Sequence, residues 1–146
     1  IFSKSPKIGE IVVFFPPHKP TVPYVKRVIA KGGDTINYLN KRLYINEEEY
    51  EQELIETDAF GVEILTENNN IKEYSIRHMQ RTSADIFELV VPEGMYFVVG
   101  DNRDNSNDSR SWGFVKEESI WGRADYIWLS WKSGEWPNFS RVGKVK

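Results

Sequence analysis

The chain has no cysteine, so a disulfide scaffold, a thiolate zinc site and a cysteine nucleophile are excluded. Histidine is nearly absent. His18 and His78 are far apart in sequence, and with no H-x-x-x-H pair a histidine-based metal centre lacks its ligands. A Ser-His-Asp triad would need one of them, yet His18 sits among prolines, His78 lies in a polar stretch, and no motif surrounds either. Long apolar runs are missing too. Residues 11–15 and 95–99 form the longest, and both are strand-sized, far short of a membrane span. Nor does one charge dominate: the formal net charge is -3, the signs are interspersed, and no Lys/Arg cluster marks a nucleic-acid partner. The 146 residues suffice for one domain with a real core, and five tryptophans argue against disorder. The chain begins with isoleucine, and a segment upstream of it is expected.

What is present is a set of short strand signals. Ile11-Val12-Val13-Phe14-Phe15 is β-branched and aromatic and is closed by Pro16-Pro17. Tyr24-Val25-Lys26-Arg27-Val28-Ile29 is a second strand, ended by Lys31-Gly32-Gly33-Asp34. Residues 35–38 and 42–45 read as a hairpin around 39–41. From residue 47 the character changes. The acidic run 47–51 reads as a short helix or an irregular arm, Asn68-Asn69-Asn70 as a turn, and 71–81 as ambiguous. Residues 86–91 alternate weakly as a strand, with Pro92-Glu93-Gly94 turning into the strand at Met95. Residues 119–131 read as one long strand bulged at Gly122. The pattern predicts a mainly β fold with an antiparallel core formed by 1–36 and 93–146, and 37–92 as an inserted smaller segment.

The most distinctive stretch runs from Gly100 to Gly113, where every residue except Trp112 is polar, small or glycine. Asp104, Ser106 and Asp108 have the 1-3-5 spacing of a calcium loop, but Ser109 stands where that loop needs glycine and Val115 where it needs glutamate. A surface turn held by Asx hydrogen bonds is the plain alternative. Asp108 and Arg110 are spaced to pair across a turn, and Arg27 is a candidate partner for Asp101. In an extended strand Tyr24, Lys26 and Val28 share one face, and Val25, Arg27 and Ile29 the other. Lys26 has apolar neighbours in sequence. If buried, its pKa falls and the neutral amine becomes available as a general base; otherwise it is an exposed strand lysine.

Together these segments resemble bacterial type I signal peptidases (leader peptidases). Residues 24–29 followed by Gly33-Asp34 are similar to that family's lysine box. Gly100 to Gly113 matches its Gly-Asp-Asn-Arg-Asp-Asn-Ser-x-Asp-Ser-Arg-x-Trp-Gly box, and Gly9-Glu10-Ile11-Val12-Val13-Phe14 its preceding strand box. Gly134-Glu135-Trp136-Pro137 resembles the proteobacterial members. The resemblance implies a signal-peptidase-type β fold and a serine endopeptidase with a Ser/Lys dyad. It would remove signal peptides from exported preproteins after small residues, at the outer face of the bacterial cytoplasmic membrane. No cofactor and no metal is expected. Carried over by position, Lys26 is the general base and Ser106 orients it. Arg27 pairs with Asp101, Asp108 with Arg110, and Val13, Tyr24 and Val25 line shallow substrate pockets. The chain departs from the family in having no Ser-Met-x-Pro-Thr nucleophile box and no membrane anchor, and Glu10 replaces the usual Asp. A fragment without the nucleophile is expected, inactive alone. The alternatives are an inactive relative or a β-rich binding module at a membrane surface, with Phe14, Phe15, Trp128, Trp131 and Trp136 as its apolar face. A repressor-type Ser/Lys protease lacks this polar box.

Overall fold

The computed structural model describes residues 5–125. Its strands, in chain order, are β1 (Ile11–Phe14), β2 (Tyr24–Lys31), β3 (Thr35–Leu39), β4 (Arg42–Ile45), β5 (Glu48–Glu49) and β6 (Glu51–Thr57), then β7 (Glu63–Asn68), β8 (Glu73–His78), β9 (Ile86–Val90), β10 (Met95–Val99), β11 (Val115–Lys116) and β12 (Ile120–Arg123). Between β10 and β11 lie a 3-10 turn (Arg103–Asn105) and a short helix, α1 (Ser109–Trp112). The strands form three antiparallel sheets, ordered β11-β10-β2-β1-β12, β5-β4-β3-β9 and β6-β7-β8. The chain is therefore mainly β, as its strand-sized apolar runs foretold.

The five-stranded sheet buries apolar side chains on both of its faces. On one, Val12 and Phe14 pack with Val28, Tyr96, Val98 and Val115. Val13, Phe15 and Trp121 form a separate small cluster. Ile29, Ala30, Phe97 and Val99 are buried against Ile36, Tyr38, Leu43, Ile45, Tyr50 and Val91, so the four-stranded sheet shares its core with the five-stranded one. The Tyr50 hydroxyl donates to the Ile29 carbonyl at 3.1 Å inside that core. Phe14 and Phe15 are core residues, not part of an exposed apolar face; Trp128, Trp131 and Trp136 lie outside the described residues.

Three readings of the sequence change. The acidic run from Glu47 is neither helix nor irregular arm: Asn46 and Glu47 form a two-residue turn, and the chain continues as β5 and β6. Asn40-Lys41 makes the preceding turn in the same way. All four residues have positive φ (49°, 66°, 53° and 67° in chain order), as in type I′ hairpins. Neither turn carries the usual glycine at its second position; the first is flanked by alternating apolar strands, whereas the second opens onto an acidic run that hides it. Residues 71–81, ambiguous from sequence, contain β8. Of the strand expected over 119–131, β12 forms Ile120–Arg123 and Ala124 and Asp125 are in helical conformation, while 126–131 lie outside the described residues. Its irregularity falls at Trp121 rather than Gly122, since Val13 pairs with Gly122 and Phe14 with Ile120.

Candidate active site

Lys26 is placed by the way β2 is held. Gly9 and Glu10 together oppose Val28: the Gly9 amide donates to the Val28 carbonyl and the Val28 amide to the Glu10 carbonyl, both at 2.8 Å. With Gly9 at φ 95° this is a glycine bulge, which bends the strand pair and re-aims its side chains. Beyond it β1 and β2 run in register, Lys26 opposite Val12 and Tyr24 opposite Phe14. Lys26 is half-buried beside the Tyr24 ring, with Nζ 5.8 Å from the ring centroid. Nζ donates to Ser106 Oγ at 2.9 Å. Burial pushes the Lys26 pKa below its ordinary value. Asp108 and Asp101 oppose that shift and Arg110 adds to it, and the loss of hydration prevails.

The polar segment after β10 is organised around Asp108, whose side chain is almost fully buried. Its Oδ2 accepts from the Gly100 amide at 2.9 Å and from Arg110 Nη2 at 2.7 Å, and Oδ1 accepts from Arg110 Nε at 2.9 Å. Oδ1 also takes the Arg110 backbone amide, which makes Asp108 the N-cap of α1. Burial alone would raise the Asp108 carboxyl. The Arg110 guanidinium and the Gly100 amide outweigh it, and the net shift is downward. Arg110 also donates to the Arg103 carbonyl at 2.7 Å, and Ser109 Oγ accepts from the Val98 amide at 2.9 Å. The segment is thus stitched to itself and to the end of β10. Gly100 leaves the space that Ser106 occupies: a Cβ there would lie 2.0 Å from Ser106 Oγ and 3.4 Å from Lys26 Nζ.

On the other side of β2, Arg27 makes a bidentate pair with Asp101, Nε to Oδ1 at 2.9 Å and Nη2 to Oδ2 at 2.8 Å, and its Nη1 donates to the Gly9 carbonyl. The structure therefore brings together three pairs singled out from sequence: Lys26 with Ser106, Arg27 with Asp101, and Asp108 with Arg110. The pocket residues are less uniform. Tyr24 lies on the Lys26 face of β2. Val13 and Val25 pair across β1 and β2, and alternation puts both on the opposite face; Val25 is exposed and Val13 is buried.

Several contacts to the site were not legible in the sequence. Arg103 is fully buried and ion-paired with Glu67 of β7, with Nη1 to Oε2 at 2.9 Å. Asp104 is bound by Lys41 Nζ and by the Met79 amide, both at 2.8 Å. Tyr74 of β8 stacks on the Arg27 guanidinium 4.0 Å from the ring centroid. A parallel bridge also joins Arg77 to Asn102. Arg103 and Asp104 stand inside the recognisable segment, but Lys41, Glu67, Tyr74 and Met79 belong to 37–92, where no motif marks them. Among the described residues, no cluster of three or more His, Asp or Glu side chains offers a metal site.

A family model described as signal peptidase, peptidase S26, matches residues 2–131. Signal peptidase I of Pseudomonas fluorescens is 41% identical over 161 residues, covering 97% of this chain and 57% of that protein. The Pseudomonas aeruginosa protein of the same name is 39% identical, with 97% and 56% covered. The Rickettsia massiliae one is 37% identical, with 94% and 57% covered. The chain thus spans little more than half the length of these curated relatives. A crystal structure of a signal peptidase I from Enterococcus faecalis superposes with a TM-score of 0.54 at 30% identity, covering 82% of this chain and 97% of that one.

Proposed function

The chain belongs to the signal peptidase family, peptidase S26, and from that premise we propose that it is the lysine-bearing part of a serine endopeptidase that removes signal peptides from exported preproteins. The observation that carries this reading is the half-buried Lys26 amine held on Ser106. A serine hydroxyl attacks a peptide carbonyl only when a neighbouring base takes its proton. A lysine does this when neutral, and desolvation favours that form. In this reading Lys26 Nζ accepts the nucleophile's proton as the serine oxygen bonds to the scissile carbonyl carbon, and passes it to the leaving nitrogen as the C–N bond breaks. A water, deprotonated by the same amine, then attacks the serine ester, and the proton returns to the serine oxygen as the acid leaves. Ser106 fixes the direction of Nζ. Arg27 with Asp101 ties β2 to the polar segment and Asp108 with Arg110 holds that segment in shape, while 37–92 forms an inserted subdomain.

The open edge of β2 supports an extended substrate. β10 pairs with β2 only from Lys31 to Arg27 and then leaves the sheet at Gly100. Val28 bonds toward β1, so alternation turns the Val25 N–H and C=O away from β1, into the vacated position. A peptide strand docking there would be held by main-chain bonds. Tyr24 would shape the pocket on the Lys26 face, and Val25, with Val13 beneath, the one on the other. Small side chains would be preferred where these walls are shallow. The site of action is the outer face of the bacterial cytoplasmic membrane, against the lipid surface. Among the described residues no helix is long and apolar enough to cross a membrane.

The nucleophile is assigned to a Ser-Met-x-Pro-Thr segment, which residues 1–146 do not contain. The test is cleavage of a signal-peptide substrate. Residues 1–146 alone are expected to be inactive, and the same chain joined to such a segment to cleave after small residues. Lys26→Ala should then abolish cleavage with the fold intact. Turnover by residues 1–146 alone, or cleavage that survives Lys26→Ala, would overturn the assignment.

A further inference from the structure

Two side chains from the three-stranded sheet, Tyr74 and Glu67, link the strand that carries Lys26 to the segment that carries Ser106. The Tyr74 ring lies against the guanidinium of Arg27, the residue next to Lys26. Its hydroxyl donates to Glu67 Oε1 at 2.8 Å. Glu67 holds Arg103 through both carboxylate oxygens, and both side chains are fully buried. Arg103 Nε in turn donates to the Gly100 carbonyl at 3.1 Å. Gly100 is the residue whose missing side chain leaves room for Ser106 and Lys26 to meet. A continuous buried path, Arg27–Tyr74–Glu67–Arg103–Gly100, therefore runs from the lysine strand to the segment that carries Ser106.

We propose that Glu67 and Tyr74 are positioning residues of the lysine site, setting the distance between the β2 backbone at Lys26 and the Gly100–Ser106 segment. The proposal rests on the reading of Lys26 as the base and extends its machinery into 37–92. A fully buried ion pair is weak grounds for stability, because removing both charges from water costs about as much as their attraction returns. Its worth lies in geometry: a bidentate guanidinium–carboxylate pair has one preferred arrangement. The pair also stays charged. Burial alone would raise Glu67, but Arg103, Tyr74 and Gln52 hold it below its ordinary value. Burial beside that carboxylate raises the Tyr74 phenol, which remains a donor.

The test is the Lys26 titration in the full 146-residue chain, followed by NMR with 13Cε-labelled lysine and assigned by the signal lost in Lys26→Met. Two variants are compared, Glu67→Gln and Tyr74→Phe, with Arg42→Gln as a control that breaks the half-exposed Arg42–Glu49 pair in the same inserted segment. The direct effect of losing the Glu67 charge would be to lower the Lys26 pKa, since an anion has gone. Loss of positioning acts the other way: the segment carrying Ser106 loosens, water reaches Nζ, and the pKa rises toward the ordinary lysine value. Asp101, Asp108 and Arg110, the charged groups that bear on Lys26, are unchanged in both variants. The expected result is an upward shift in both variants and none in Arg42→Gln. A folded Tyr74→Phe or Glu67→Gln protein in which Lys26 titrates as in wild type, or lower, overturns the proposal; so does an equal shift in the control. If Glu67→Gln does not fold, Tyr74→Phe decides alone, since it removes one oxygen and keeps the ring on Arg27. The readout needs no cleavage, so its failure is distinct from failure of the base assignment, which Lys26→Ala tests by turnover.

Discussion

Gly100 shows how closely the site depends on what a residue lacks. Its amide serves Asp108, its carbonyl serves Arg103, and the empty space at its α-carbon is filled by Ser106. Gly100→Ala is expected to displace Ser106 from Lys26 and to cost about 1–3 kcal/mol of stability, the usual range for overpacking a dense site. Urea unfolding measures the loss, and the Lys26 titration should move upward as Ser106 gives way. An unchanged midpoint and titration would mean that the segment yields freely. Lys26 itself was legible as chemistry only through its company. Taken alone, a lysine between valines is most often an exposed strand residue. Arg103 was harder. The two-residue spacing of Asp108 and Arg110 marks the arginine that pairs locally, but nothing in the segment tells that Arg103 is buried against a glutamate far away in sequence, because that depends on where β7 is brought.

At the level of elements, legibility followed the turns. The strands bounded by prolines and glycines, β1, β2 and β10, stand where the sequence placed them. β5 and β6 do not, because Asn46-Glu47 makes a left-handed two-residue turn with no glycine, and because β6 is exposed along nearly its whole length and shows no alternation. β8 does alternate, Tyr74, Ile76 and His78 facing inward, but with two charged residues outward and only three inward positions the period is short. Glu47 at φ 67° bears the cost that an L side chain meets in this region, about 1–2 kcal/mol. Glu47→Gly is therefore expected to stabilise the fold by about 1 kcal/mol once the extra entropy of an unfolded glycine is deducted. A thermal or urea midpoint that stays put or falls would show that the turn carries no such strain.

Over the whole molecule, residues 37–92 are not a passive appendage. Lys41, Glu67, Tyr74 and Met79 bind the polar segment or the lysine strand from outside the five-stranded sheet. The site is thus assembled from three sheets, and the sequence displays only the part written contiguously. Its centre is a lysine whose proton is weakened by burial, and the sign of the consequence is fixed. Protonated Lys26 cannot act as base, so cleavage should be low at acid pH and rise as the amine loses its proton, at a pH below the ordinary lysine range. The direct measurement is kcat/KM for a signal-peptide substrate against pH, using the chain joined to a Ser-Met-x-Pro-Thr segment, beside the NMR titration of Lys26 in the same protein. The rising limb of activity should coincide with the Lys26 titration and lie below the ordinary lysine value. A limb that falls elsewhere, or a Lys26 that titrates like a free lysine while cleavage proceeds at lower pH, would contradict Lys26 as the base.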